Sequence, residues 1–203
     1  GAEGIGTGWS TFVPNYNPRD VVENLRRRMA GEEYVPMTPW YRGFVGTIEH
    51  SAADRFRVLG NATQLDERTW EITELPVRVW TSSYKEWLEE RVVGSDKTPS
   101  TLREYKEYHT DTTVHFVVEL NSRGEEEIAR VGPEAFFKLS TVISTGNMVL
   151  FNPEGKIKKY ASPLEILDDF YFLRLGFYQR RKEHLVDQLK LVYDRLSNQA
   201  RFV

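Results

Sequence analysis

TTVHFVVEL, residues 112–120, is the stretch on which the fold turns. It is rich in Val, Thr and Phe, whose branched and aromatic side chains suit a pleated strand. Working outward, similar runs recur: FVGTIEH (44–50), RFRVLGNATQL (55–65) and RTWEITEL (68–75) before it, FKLSTVIS (137–144) and NMVLF (147–151) after it. Polar turn residues separate the first three, which predicts an antiparallel meander. A turn at Thr145-Gly146 is expected to join the last two, and NPEGKIKKY (152–160) reads as a turn followed by a basic strand or loop.

Helices are predicted around these runs. In NPRDVVENLRRRM (17–29), Asn17 suits an N-cap and Pro18 the first helical position, where a missing N–H costs nothing. SSYKEWLEERVVG (82–94) starts near a serine and stops at Gly94, and GEEEIARVG (124–132) reads as a charged helix. From Pro163 to Val203 the pattern is helical throughout, and one continuous helix would span about 60 Å. Tyr178, Leu185, Leu189, Val192, Leu196 and Val203 fall on alternating three- and four-residue steps, a heptad seam broken by Lys182 and Gln199. The fold class is therefore α+β: mostly antiparallel sheet with flanking helices, ending in a long projecting helix.

Composition narrows the function. Five Trp, eleven Phe and ten Tyr supply a real core, while the absence of cysteine removes disulfides, thiolate nucleophiles and Cys-based zinc sites. No apolar run reaches the ~18 residues of a membrane helix, and no membrane partner is expected. The net charge of −3 argues against a domain that holds DNA by charge alone. With no initiator Met and no stop signal after LSNQARF, the chain reads as a segment of a longer protein.

The opening GAEGIGTGWS places Gly4, Gly6 and Gly8 on alternate positions, but neither a dinucleotide fingerprint nor a Walker loop fits, because no helix and no Lys-Ser or Lys-Thr follows. Glycine also permits positive φ and close backbone approach, so the stretch is read as a tight turn presenting Ile5. Ile5 is then either a surface residue or an apolar wedge that enters a base-pair step. His109, Asp111 and His115 share one face if extended, yet lack a fourth ligand, so no metal site is assigned. Trp80, beside Arg78, suits either the core or stacking on a sugar or base. Lys138 to Asn147 lines up Lys, Ser, Thr and Asn donors as a phosphate track would, and as a half-buried strand would. No reaction centre is visible.

Five blocks then carry a resemblance: GAEGIGTGWSTFVPNYNPRDVVENLRR, PWYRGFVGTIE, EITELPVRVWT, YHTDTTVHFVV and LSNQARF. They are long, specific and in order along essentially the whole chain, and they resemble eukaryotic DNA topoisomerase II, of type IIA. The resemblance implies a tower (DNA-gate) domain at 1–160, including the wedge turn, and the start of a coiled-coil arm at 161–203. It implies that Ile5 inserts into and bends a DNA duplex, that Trp80 contacts DNA, and that Lys138, Leu139, Ser140, Thr141, Val142, Ile143, Ser144, Thr145, Gly146 and Asn147 form a DNA-contacting stretch. The parent enzyme would be a nuclear homodimer that uses ATP and Mg²⁺ to pass one duplex through a transient double-strand break in another. Its tyrosine nucleophile, metal site and ATPase domain would lie upstream of Gly1, leaving this segment inactive alone. From the residues themselves, a non-enzymatic DNA-bending or scaffold module dimerising through its C-terminal helix stays open, as does a protein-interaction domain.

Overall fold

The computed structural model describes residues 1–203. In chain order the elements are β1 (Ala2–Ile5), β2 (Ser10–Val13), α1 (Pro18–Ala30), β3 (Thr47–Ala52), β4 (Arg55–Leu59), β5 (Asn61–Gln64), β6 (Thr69–Glu74), α2 (Thr81–Val93), β7 (Leu102–Glu107), β8 (Phe116–Leu120), α3 (Ser122–Val131), α4 (Pro133–Phe136), β9 (Ser140–Ser144), β10 (Val149–Phe151), β11 (Ile157–Lys159) and α5 (Pro163–Phe202). They fall into two compact units. The first comprises Gly1, Pro14–Asn17 and Met37–Gly146; the second comprises Ala2–Val13, Pro18–Pro36 and Asn147–Val203.

The first unit is built around β8. Phe116, Val118 and Leu120 are buried and the residues between them half-buried, the two-residue period of a strand with one core face. β8 is central in the sheet β5-β6-β8-β7, with every neighbour antiparallel. Tyr84 and Leu88, one turn apart on α2, bring that helix into the same core as Phe136, Phe137 and Ile72. The buried Tyr84 hydroxyl donates to the Phe137 carbonyl at 2.7 Å. Asn121 caps α3 by accepting from the Gly124 N–H, and a Cβ on Gly124 would run into the Thr101 carbonyl. Glycine there permits the close approach of helix to chain.

The predicted meander is two sheets instead of one. β3-β4-β9 forms a second, three-stranded sheet, and β4 does not pair with β5. The chain crosses over at Gly60, whose N–H donates to Leu139 and whose Cα faces the Glu74 carbonyl too closely for any side chain. Nor do the two strands flanking Thr145-Gly146 form a hairpin. β9 pairs with β4 while β10 pairs with β11, and the Thr145 N–H is taken by the Asp54 carbonyl.

The second unit contains two hairpins, β1–β2 and β10–β11, with α1 and α5. The Phe12 N–H donates to the Asn147 carbonyl, and the Val149 N–H to Thr11 Oγ1, which join the hairpins. α5 begins with Ser162 accepting from the Glu165 N–H while Glu165 accepts from the Ala161 N–H. This is close to a capping box, with Pro163 at the first position. No residue of α5 is buried.

Candidate nucleic-acid interface

The opening glycines resolve into a hairpin. Ile5 pairs with Ser10 at the end of β1–β2, and the Gly6 N–H donates to the Trp9 carbonyl at 2.7 Å across the loop. Only Gly8, with φ of 78°, needs to be glycine for its conformation; Gly4 and Gly6 have room for a Cβ. The alternation is therefore not three demands on the backbone but one. The consequence is at Ile5, which stands 93% exposed on a strand held by its ladder. Full burial of such a side chain is worth about 1.5–3 kcal/mol, which this fold forgoes.

In the first unit, Trp80 is 76% exposed, immediately before α2. It follows a turn in which the Val79 N–H donates to Pro76 and Arg78 takes φ of 74°, the slot where a type II turn prefers glycine. Lys138 is the second non-glycine residue with positive φ, at 52°. There the Leu139 and Lys138 N–H groups close back onto Glu134 and Ala135, a Schellman stop in which Lys138 holds the usual glycine position. Each such placement costs roughly 1–2 kcal/mol relative to glycine. Strained backbone of this kind gathers at functional sites, and here both instances carry a cation.

Lys138 to Gly146 runs into and along β9, the edge strand of its sheet. Leu139, Ile143 and Thr145 are buried, and Lys138, Val142 and Ser144 face solvent. The Lys138 ammonium lies over the Trp87 ring at 5.1 Å, and Thr141 Oγ1 donates to the Val77 carbonyl at 3.4 Å. That bond ties β9 to the turn that precedes Trp80. Asn147 belongs to the second unit, where its amide donates to Ser10 Oγ at 2.9 Å, on the hairpin that carries Ile5.

His109 and His115 serve the fold. His109 Nδ1 accepts from the His115 N–H at 2.9 Å, its ring stands edge-on to Phe116, and His115 Nε2 lies 2.8 Å from Glu71 Oε1. No three His, Asp or Glu residues converge as metal ligands. Passed over in the sequence was a groove of about 420 Å³ lined by residues of the β1–β2 hairpin together with Val149, Leu150, Phe151 and Ile157. Its signal was two bulky apolar residues flanking the turn NPEG.

Comparison with known proteins gives one answer. The family model for the A subunit of DNA gyrase/topoisomerase IV matches residues 1–203. DNA topoisomerase 2 of Penicillium chrysogenum is 47% identical over 203 residues, all of this chain and 13% of that protein. Human DNA topoisomerase 2-alpha is 49% identical over 204 residues, again covering the whole chain and 13% of the relative. This chain is thus a small part of the length of the proteins it matches. The crystal structure of the Plasmodium falciparum topoisomerase II DNA-binding, cleavage and re-ligation domain superposes with a TM-score of 0.88 at 37% identity, over 93% of this chain and 25% of that one. The chain belongs to the DNA gyrase/topoisomerase IV family, in its A-subunit branch, as a segment of a type IIA topoisomerase of the eukaryotic DNA topoisomerase 2 kind.

Proposed function

We propose that this segment holds and bends the duplex that a nuclear, ATP- and Mg²⁺-dependent type IIA topoisomerase cuts and reseals. The observation that carries the reading is the bare isoleucine: Ile5 is 93% exposed at the end of a hydrogen-bonded hairpin. A wedge in a base step opposes a few kcal/mol of unstacking, and the bend costs roughly 1–10 kcal/mol more. Contacts along the bent backbone offset that cost. In this reading Trp80 supplies one, and the exposed members of the Lys138–Asn147 stretch, namely Lys138, Val142, Ser144 and Asn147, supply others. Leu139 and Ile143 act from beneath, as the packing that keeps β9 straight. The tower covers 1–160 and the arm 161–203, whose heptad seam pairs two copies of the enzyme. Cleavage chemistry, Mg²⁺ and ATP belong to parts of the enzyme outside these residues.

The test is Ile5→Ala in the full-length enzyme, with DNA bending followed by end-to-end fluorescence transfer. Bending is expected to be lost and double-strand cleavage to fall with it, by about tenfold or more, since burying an isoleucine side chain between bases is worth at least one decade. A variant that bends and cuts like the parent would make Ile5 an ordinary turn residue and end the proposal.

A further inference from the structure

The β10–β11 hairpin has two differently occupied faces. Cross-strand partners share a face and successive pairs alternate. The register Val149↔Lys159, Leu150↔Lys158, Phe151↔Ile157 therefore sets Phe151, Ile157, Val149 and Lys159 on one face and Leu150 and Lys158 on the other. Lys158 is held by Glu165 at 2.9 Å and Asp169 at 3.0 Å, which docks its face on the start of α5. Nothing comparable covers the first face, where Phe151 is 73% and Ile157 47% exposed.

That face is one wall of the groove whose other wall is Ile5 and Trp9. No carboxylate lines it, and on the same hairpin Lys156 and Lys159 stand exposed, against the one carboxylate Glu154 in the turn. A contiguous apolar surface rimmed by cations marks an interaction site. Its occupant follows from continuity, since whatever Ile5 enters must lie across the groove of which Ile5 is a wall. A DNA strand beside a wedged step offers apolar deoxyribose carbons and, one bond further out, phosphates, which match an apolar floor with a basic rim.

We infer that Phe151 and Ile157 make a second apolar contact with duplex DNA, packing on the deoxyribose edge beside the step that Ile5 opens, with Lys159 on the adjoining phosphate. The inference rests on the reading of Ile5 as the wedge. The contact adds to affinity for the duplex, whereas the bend comes from Ile5, so the two are separable.

The experiment uses the full-length enzyme and a labelled duplex, measuring affinity across a salt series and the bend by fluorescence transfer. Phe151→Ala should bind about three- to tenfold more weakly while the DNA that is bound stays bent. Phe151→Leu should retain most of the affinity, and Lys159→Gln should lower the slope of log affinity against log salt by about 1. If Ile5→Ala abolishes bending while Phe151→Ala and Lys159→Gln bind like the parent, the groove contact is overturned and the wedge stands. If Ile5→Ala bends normally, the wedge reading falls, and the affinity of Phe151→Ala judges the groove separately. Unchanged duplex affinity with a weakened enzyme dimer would assign the face to a protein contact and overturn the inference. Should Phe151→Ala lower the melting temperature, Phe151→Leu and Lys159→Gln carry the test, since neither removes packing volume on the scale of the alanine change.

Discussion

The unit spanning Met37–Gly146 seals Phe116, Phe136, Phe137 and their neighbours from water, whereas the unit holding both hairpins and α5 fully buries only Met148 and Tyr160 among its large apolar side chains. Charge divides the same way. Carboxylates outnumber cations in the first unit by eighteen to thirteen, whereas the second unit carries fourteen cations against twelve carboxylates. A sheet with a closed core can be stable on its own terms. Two hairpins and a bare helix keep their apolar surface for something else, which is the character expected of parts that meet DNA or a second chain. Ile5, Phe151 and the α5 seam all belong to the second unit.

The contrast breaks most easily at Phe116, which is fully buried between Tyr84 and Tyr105 and meets the His109 ring edge-on. Phe116→Ala should cost about 3–5 kcal/mol, read from denaturant unfolding by tryptophan fluorescence. A cost below about 1 kcal/mol would mean that the first unit is no more consolidated than the second.

That core was legible beforehand because β8 has a two-residue burial period, and α1, α2, α3 and α5 because each is a helix-compatible run bounded by Pro18, Gly94, Gly132 or Pro163, although α2 starts after Trp80 with no side-chain cap instead of at a serine. β7 was not. In LREYKE, charged Arg103, Glu104, Lys106 and Glu107 face out from an edge strand, where charge discourages edge-to-edge pairing but also hides the strand from any hydrophobic pattern. The division into two sheets was hidden for another reason. It depends on Gly60 meeting Glu74 and Leu139, residues distant in sequence, and no local signal carries that encounter. Ile5 and Trp80 were picked out by a resemblance, and residue chemistry alone left each of them with an ordinary alternative.

Where the second unit is ordered, ionic contacts do what burial does in the first. Asp169 accepts from Lys158 and Tyr160, and Asp168 accepts from Tyr34 at 2.7 Å and meets Arg28 at 2.8 Å. Hydrogen bonds from Lys158 and Tyr160 hold the Asp169 carboxyl below its usual range, and the Ala161 N–H followed by Lys158 does the same for Glu165. Lowered carboxyl values stabilise the fold above the ordinary range of about 4 and lose that effect as pH falls through the folded values. Lys158, raised chiefly by Glu165, contributes below its ordinary value of about 10.4 and loses its effect only in strong base. The start of α5 should therefore hold from about pH 5 to 10 and loosen in acid, seen as severalfold faster amide exchange at 163–169 after correction for intrinsic rates. Lys158→Met should weaken that dependence and leave the part supplied by the Ala161 N–H and the Tyr160 hydroxyl. Protection unchanged between about pH 6 and 3 would show that the ionic contacts do not hold the helix base.

A smaller effect distinguishes strain from stability within the first unit. Lys138→Gly places the favoured residue at the Schellman position, so the fold should gain up to about 1 kcal/mol. Duplex affinity of the full enzyme should fall at the same time, because the cation is removed. Loss of stability instead would mean that the contact of Lys138 with the Trp87 ring outweighs the backbone cost, and that the positive φ is structural.

The smallest effect on folding is expected on α5. Leu189 is 67% exposed, with Val192 and Leu196 also about half exposed along the same seam. Removing an apolar side chain that touches water already leaves little to lose, so Leu189→Ala should shift the unfolding free energy by less than about 0.5 kcal/mol at concentrations where the chain is monomeric. Self-association is where the change should appear, as a weaker dimer by sedimentation, because a heptad seam gains its burial only from a second helix. A stability loss of several kcal/mol in the monomer would mean that the seam packs within one chain. The contrast between a sealed unit and an open one would then have to be redrawn.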